Sequence, residues 1–296
     1  MLEMPESIKK DEMTTVESIS IPVERRETIE RVLVRLKKAF TVLNLPYPKL
    51  PKISIEFRAP DGDEMTLLGH TEVTSDGASI PFDKRLLSHD SERTIVDKSR
   101  EKGIDYHGIG RALVHEIGHI SMWSVVGHDR VSASTRLIDE GWASLIERAG
   151  MMKEGSILDL TEQVKADVGD IIKNDPKAYE MFLDLSHSPA SGERVPESNA
   201  AEYVIGPAFL LWINQTKGKE AMIKLLKSSS SAGLMEPGIE LHPDFQSYIS
   251  EHQQEATLET ARRWESDQFQ KALMEATGLP SLKEIEKSFN KWITGS

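Results

Sequence analysis

The chain has 296 residues, 39% of them apolar and 28% charged, with a net charge of −12 and no cysteine. This composition reads as a folded globular chain, excludes disulfides and thiolate metal sites, and, with no Lys/Arg block to offset the negative charge, argues against a nucleic-acid partner. No apolar run reaches the ~18 residues of a membrane-spanning helix, and the best candidate, Val204 to Ile213, is interrupted by Gly206 and Pro207.

The first twenty residues carry Glu3, Glu6, Lys9, Lys10, Asp11 and Glu12 without an apolar core for a signal peptide, so the chain as given reads as cytoplasmic, or as exported with its signal already removed. From Val23 to Leu43, Ile29, Val32, Val34, Leu36 and Phe40 recur at mostly helical spacing. Pro46 and Pro48 forbid continuation, which predicts a first helix. Ile53 to Phe57, Met65 to Val73 and Ala78 to Phe82 are short alternating segments. Asp61-Gly62 and Asp76-Gly77 separate them as turn signals, so the expectation is a small sheet of hairpin-connected strands. From Ser91 onward the pattern is helical, broken near Gly127 to Arg130, Ser186 to Pro196 and Ser228 to Pro237, with no internal repeat. A sheet followed by helices is the α+β order. It divides into a polar leader open to disorder (1–20), an upper part holding the sheet and a metal-binding helix (21–126), and a helical lower part (127–296).

The chemistry concentrates in His115-Glu116-x-x-His119. On an α-helix, positions i and i+4 share a face one turn apart, so both imidazoles can reach one ion, and Glu116 can face a water on that ion without being a ligand. Leu113, Ile117 and Ile120 form an apolar stripe on the same helix, and Gly118 keeps bulk away from the ligands. Two histidines leave a tetrahedral zinc short of protein ligands. A metzincin-type continuation fails, because Met122 and Val125 stand where Gly and His are needed. Leu137 to Glu147 offers Glu140 instead, on a second helix that Asp139 could cap, with His128 and Asp129 as rivals on the intervening segment.

His115-Glu116-x-x-His119 followed by Glu140-Gly-Trp-Ala-Ser-x-x-Glu147 resembles the gluzincin clan of zinc peptidases, above all the aminopeptidase N group. The resemblance implies a gluzincin or thermolysin-like architecture of two subdomains, with Zn2+ held by His115, His119 and Glu140 and the cleft between the subdomains. Tyr203-x-x-Gly206 is similar to the segment with which those enzymes stabilise an oxyanion, which would give Tyr203 that role. The alternative is a core tyrosine. A phenol suits the role because it donates a hydrogen bond without losing its proton. The segment Leu279 to Trp292 is similar to the closing helix of small peptidase-MA-like proteins.

The pattern also departs from the family. The gap from His119 to Glu140 is longer than in the aminopeptidases. Ser144 stands where thermolysin-like enzymes have an Asp that supports a zinc-bound His, leaving Glu147 or a backbone carbonyl for that task. No Gly-x-Met-Glu-Asn segment is present to grip a free substrate amine, so cleavage is expected to be endopeptidic, with Asp76 and Glu72 the nearest carboxylates that could imitate the grip. Ala78 to Phe82 is the expected edge strand for an extended peptide. His107 and Arg111 read as solvated, and Trp142, Trp212 and Trp264 as packing residues. The implied function is a zinc metallopeptidase acting on a peptide or protein, in which Glu116 moves the proton and Tyr203 with zinc holds the oxyanion. The alternatives are a zinc-stabilised non-catalytic binding or regulatory module and a metallohydrolase of a non-peptide substrate.

Overall fold

The computed structural model describes residues 19–20, 22–59, 71–74, 77–101, 108–126, 136–153, 155–183, 199–229, 243–253 and 257–295. Four strands, β1 (Ile19–Ser20), β2 (Lys52–Arg58), β3 (Glu72–Thr74) and β4 (Gly77–Asp83), form one sheet in the order β1-β2-β4-β3. The helices are α1 (Arg26–Val42), α2 (His89–Glu101), α3 (Ile109–Val126), α4 (Arg136–Met151), α5 (Ile157–Asn174), α6 (Pro176–Leu183), α7 (Asn199–Lys217), α8 (Lys219–Ser229), α9 (Pro243–Glu251), α10 (Leu258–Thr277) and α11 (Leu282–Thr294). The class is broadly α+β, dominated by helix.

Helix α1 buries Ile29, Val32, Leu36, Ala39 and Phe40 along one face, whereas Val34 falls off the stripe and is exposed. Its stop is not a proline. Asn44 takes a left-handed φ of 54°, and the N–H of Leu45 returns to the carbonyl of Phe40 at 2.8 Å, the closure by which helices often end before a chain reversal.

The sheet corrects the hairpin expectation. β2 and β4 run parallel, pairing Ile53 with Ala78, Ile55 with Ile80 and Phe57 with Phe82, and only β3 and β4 are antiparallel. Parallel neighbours need a crossover rather than a tight turn. Asp61-Gly62 and most of the Met65 to Val73 segment lie outside the described residues. The edge-strand expectation for Ala78 to Phe82 is corrected as well: β3 lies outside β4 along Gly77–Ser79. From Ile80 onward β4 is paired, among the described residues, with β2 alone, and that is where Pro81, with no N–H to give, can be accommodated. Ala78, Ile80 and Phe82 on one face of β4 are buried, and so are Ser79, Pro81 and Asp83 on the other, as expected of a strand covered on both faces.

One contiguous apolar core joins α1, the sheet, α3, α4, α5, α7, α8, α10 and α11. Helix α7 lies deepest: Ile205 and every residue from Ala208 to Ile213 are buried, which is why this segment is apolar all round. Phe209, Trp212 and Phe289 of α11 stack edge to face around it, and Lys165 of α5 lies over the ring of Trp292. Trp142, Trp212 and Trp264 are packing residues, each at most 5% exposed. Among the described residues no helix is long and apolar enough to cross a membrane.

Candidate metal centre

Helix α3 supplies the histidines and α4 the acid, and small residues let the two approach. A Cβ at Gly118 would lie 3.0 Å from the Cα of Ala143, so this glycine lets α3 and α4 touch backbone to backbone. Trp142 fastens the contact: its buried indole N–H donates to the carbonyl of Gly118 at 3.0 Å, with the hydroxyl of Ser121 at 3.1 Å. The same device brings in α7. A Cβ on Gly206 would fall 2.6 Å from the carbonyl oxygen of Leu137 and 2.7 Å from the Cα of Gly141, and one on Gly141 would meet the Gly206 backbone in return. Glu140 precedes Gly141, and Tyr203 lies one turn before Gly206, so one glycine crossing positions both.

The result is a convergent donor set. Nε2 of His115 lies 3.2 Å from Oε2 of Glu140 and 3.2 Å from Nε2 of His119, and Nε2 of His119 lies 3.6 Å from the same carboxylate oxygen. Ligands ~2.0–2.1 Å from an ion at the centre of a tetrahedron stand roughly 3.4 Å apart, so these three atoms have the spacing of a tetrahedral face. His115, His119 and Glu140 therefore form a group that could hold a metal ion. The rivals His128 and Asp129 lie outside the described residues, as does His107.

Each imidazole is oriented from behind. Nδ1 of His115 is 3.1 Å from Oε2 of Glu147, and Nδ1 of His119 is 2.9 Å from Oδ1 of Asp139. A proton on each Nδ1 fixes the tautomer that turns Nε2 and its lone pair inward, the usual arrangement of a ligating histidine. Glu147, rather than Ser144, is thus the residue behind Nδ1 of His115. Two expectations are corrected. Asp139 does not cap α4, which begins at Arg136; it sits in the first turn and holds His119. Arg111 is not a merely solvated residue, because its guanidinium pairs with Glu147 and completes a chain from Arg111 through Glu147 to His115.

Glu116 points to the same place without joining the set. The hydroxyl of Thr71, just before β3, donates to Oε2 of Glu116 at 2.9 Å, and among the described residues no Lys or Arg pairs with this carboxyl. Burial raises its pKa. Tyr203 is 36% exposed, so it is not a core tyrosine, and its ring centre is 5.7 Å from that of His115. Pro207 helps to fix it. Lacking an N–H, Pro207 cannot bond the carbonyl four residues back, which belongs to Tyr203, and Arg148 of α4 donates to that oxygen instead at 3.3 Å.

The electrostatics are those of a pocket short of positive charge. Burial pushes the His115 imidazole down, but Glu140 and Glu147 outweigh it, and its pKa is pushed up to about 9. Burial likewise disfavours charge on His119, and Asp139 and Glu140 raise it well above the ordinary value. Burial would raise Glu140, yet the two imidazoles hold it well below the usual carboxylate range. Burial would raise Glu147 too, and His115 with Arg111 holds it down.

Sequence reasoning missed Thr71, which no spacing rule connects to residue 116, and the roles of Asp139 and Arg111. Arg111 and His115 do share a helix face at i and i+4, a signal available in the sequence. Compared with known proteins, the chain matches no protein-family model, no curated protein and no solved structure.

Proposed function

We propose that this chain is a zinc-dependent metallopeptidase of gluzincin type, hydrolysing peptide bonds within a chain. The observation that carries the reading is the convergence of His115, His119 and Glu140 with the buried carboxyl of Glu116 beside them. Nitrogen and carboxylate donors at tetrahedral spacing, with no thiolate, suit zinc. Zinc in such a set acidifies water and polarises a carbonyl. Glu116, its basicity raised by burial, accepts a proton from the attacking water and delivers it to the leaving amine. Thr71 orients that carboxyl through its hydroxyl, and the phenol of Tyr203 donates a hydrogen bond to the oxyanion as the carbonyl becomes tetrahedral.

A buried carboxyl without a basic partner costs stability, so Glu116 is hard to explain in a purely structural zinc module. Endopeptidic cleavage is supported by Glu72, one of the two carboxylates that could have gripped a terminal amine: the guanidinium fork of Arg58 holds it at 3.0 and 3.1 Å. The other, Asp76, lies outside the described residues. The test is metal analysis of the purified chain together with cleavage of a peptide and its N-acetylated twin, before and after chelation. One zinc per chain and chelator-sensitive cleavage of both peptides are expected. A zinc-loaded chain that cleaves neither would end the peptidase reading, and strong preference for the free amine would move it to the aminopeptidases.

A further inference from the structure

Away from the metal set, a cavity of about 210 Å³ opens where α1 meets the first turn of α3, lined by Arg25, Arg31, Arg35, His89, Glu92 and Gly110 among others. In a chain of net charge −12, three guanidinium groups around one carboxylate is a marked local reversal. We infer that this cavity is a binding site for the oxyanion of a small molecule, a phosphate or a carboxylate group, held between Arg31, Arg35 and the start of α3.

Four features of the site point to an anion. Arg31 and Arg35 stand at i and i+4 on α1, where like charges repel. Arg31 has only a long, exposed contact with Glu27 at 3.7 Å, and Arg35 has no acidic partner among the described residues. Its partial burial and the nearby Arg31 both act to lower its pKa, the mark of a cation lacking a counter-charge. The third feature is Arg25, which is 1% exposed. Its Nη1 donates to Glu92 at 2.6 Å and to Nδ1 of His89 at 2.9 Å, but its Nε is buried with no acceptor. That N–H is shut off from the cavity, and Nη2 donates to the carbonyl of Leu86, so Arg25 contributes positive charge to the wall rather than a free donor.

The helix terminus contributes the fourth. Glu92 accepts from the N–H of Ile109 at 2.6 Å, so that donor is taken, and what this end of α3 adds to the wall is the positive end of its dipole. Beside it, Gly110 leaves backbone uncovered: a Cβ there would lie 3.4 Å from Nη1 of Arg35 and so would stand in the wall of the cavity. The planar forks of Arg31 and Arg35 suit an oxyanion with two or more oxygens better than a monatomic ion. None of the lining residues belongs to the metal set, and the inference does not depend on the peptidase reading.

The test is calorimetric titration of the full chain with inorganic phosphate and, separately, with succinate, at constant ionic strength set by chloride. Saturable binding of either is expected. Phosphate binding alone assigns a phosphoryl ligand, and succinate binding alone assigns a carboxylate. Arg31→Gln and Arg35→Gln should each weaken it by about tenfold, the loss of a charge-assisted hydrogen bond, and the double variant should abolish it. Arg31 is exposed, so Arg31→Gln decides the matter even if Arg35→Gln does not fold. His119→Ala should bind as the wild type does. The inference is overturned if neither ligand gives more heat than chloride, if Arg31→Gln binds undiminished, or if His119→Ala loses binding, which would place the anion at the metal set.

Discussion

Helix α3 runs through two neighbourhoods of opposite sign. Its first turn, at Ile109 and Gly110, meets Arg25, Arg31 and Arg35, whereas roughly 7.5 Å further along the axis His115, and a turn later His119, meet Asp139, Glu140 and Glu147. Each neighbourhood concentrates one charge beyond what its own side chains neutralise. The acidic one resolves this by drawing protons onto imidazoles, which a metal cation can replace; the basic one leaves a guanidinium N–H without an acceptor. Net charge therefore describes the chain's bulk behaviour and says little about what a given helical turn binds.

The sharpest way to break this contrast is at Glu116, inside the acidic half. Glu116→Gln is expected to keep metal and fold while lowering peptide turnover by at least ~10²-fold. Turnover like the wild type's would remove Glu116 from the chemistry, and loss of metal would make it a ligand. Next in size is the support behind the ligands. Glu147→Ala and Asp139→Ala should each weaken zinc binding by about 10–100-fold in competition with a chelator, while Arg31→Gln, at the basic end, should leave it unchanged. Equal effects at both ends would mean that the two neighbourhoods are one coupled unit.

Acidity separates the neighbourhoods further. Because the folded pKa of His115 is raised from 6.5 to about 9, the metal-free chain gains stability from its protonated form. That gain is complete below pH 6.5 and is lost as pH rises through about 9. Zinc must displace this proton, so its apparent affinity should rise over the same interval. Denaturant unfolding across this window should show stability falling with pH for the metal-free protein and staying nearly flat for the zinc-loaded one, in which His115 has already given up its proton. The smallest expected effect is structural: Gly206→Ala should cost about 1–3 kcal/mol in unfolding free energy, because its methyl group would press on Leu137 and Gly141.

The parts of the molecule that were legible in the sequence are those governed by short-range periodicity. The pentapeptide at 115–119, the stripe of Leu113, Ile117 and Ile120, and the helical character after Ser91 all follow from the 3.6-residue repeat, and the structure has them as helices with that stripe buried. The third member of the set, Glu140, was reached through a string of residues on the next helix rather than through spacing. What stayed hidden depends on tertiary approach. The parallel pairing of β2 and β4 is invisible to turn signals, and the edge expected along Ala78 to Phe82 is in part occupied by β3. Thr71 meets Glu116 across 45 positions of chain, a contact that only the tertiary fold can make. Asp139 looked like a cap because caps and second carboxylates use the same residue types.

The crossing of Gly141 and Gly206 constrains how the chain can change over generations. Neither position accepts a side chain while the other helix keeps its place, so any single substitution at the pair carries a stability cost. Separating α4 from α7 to make room would move Glu140 and Tyr203 apart. The spacing between the Glu140 carboxylate and the Tyr203 phenol is thus tied to this one crossing. Variation among descendants should accumulate around these two glycines and pass them by.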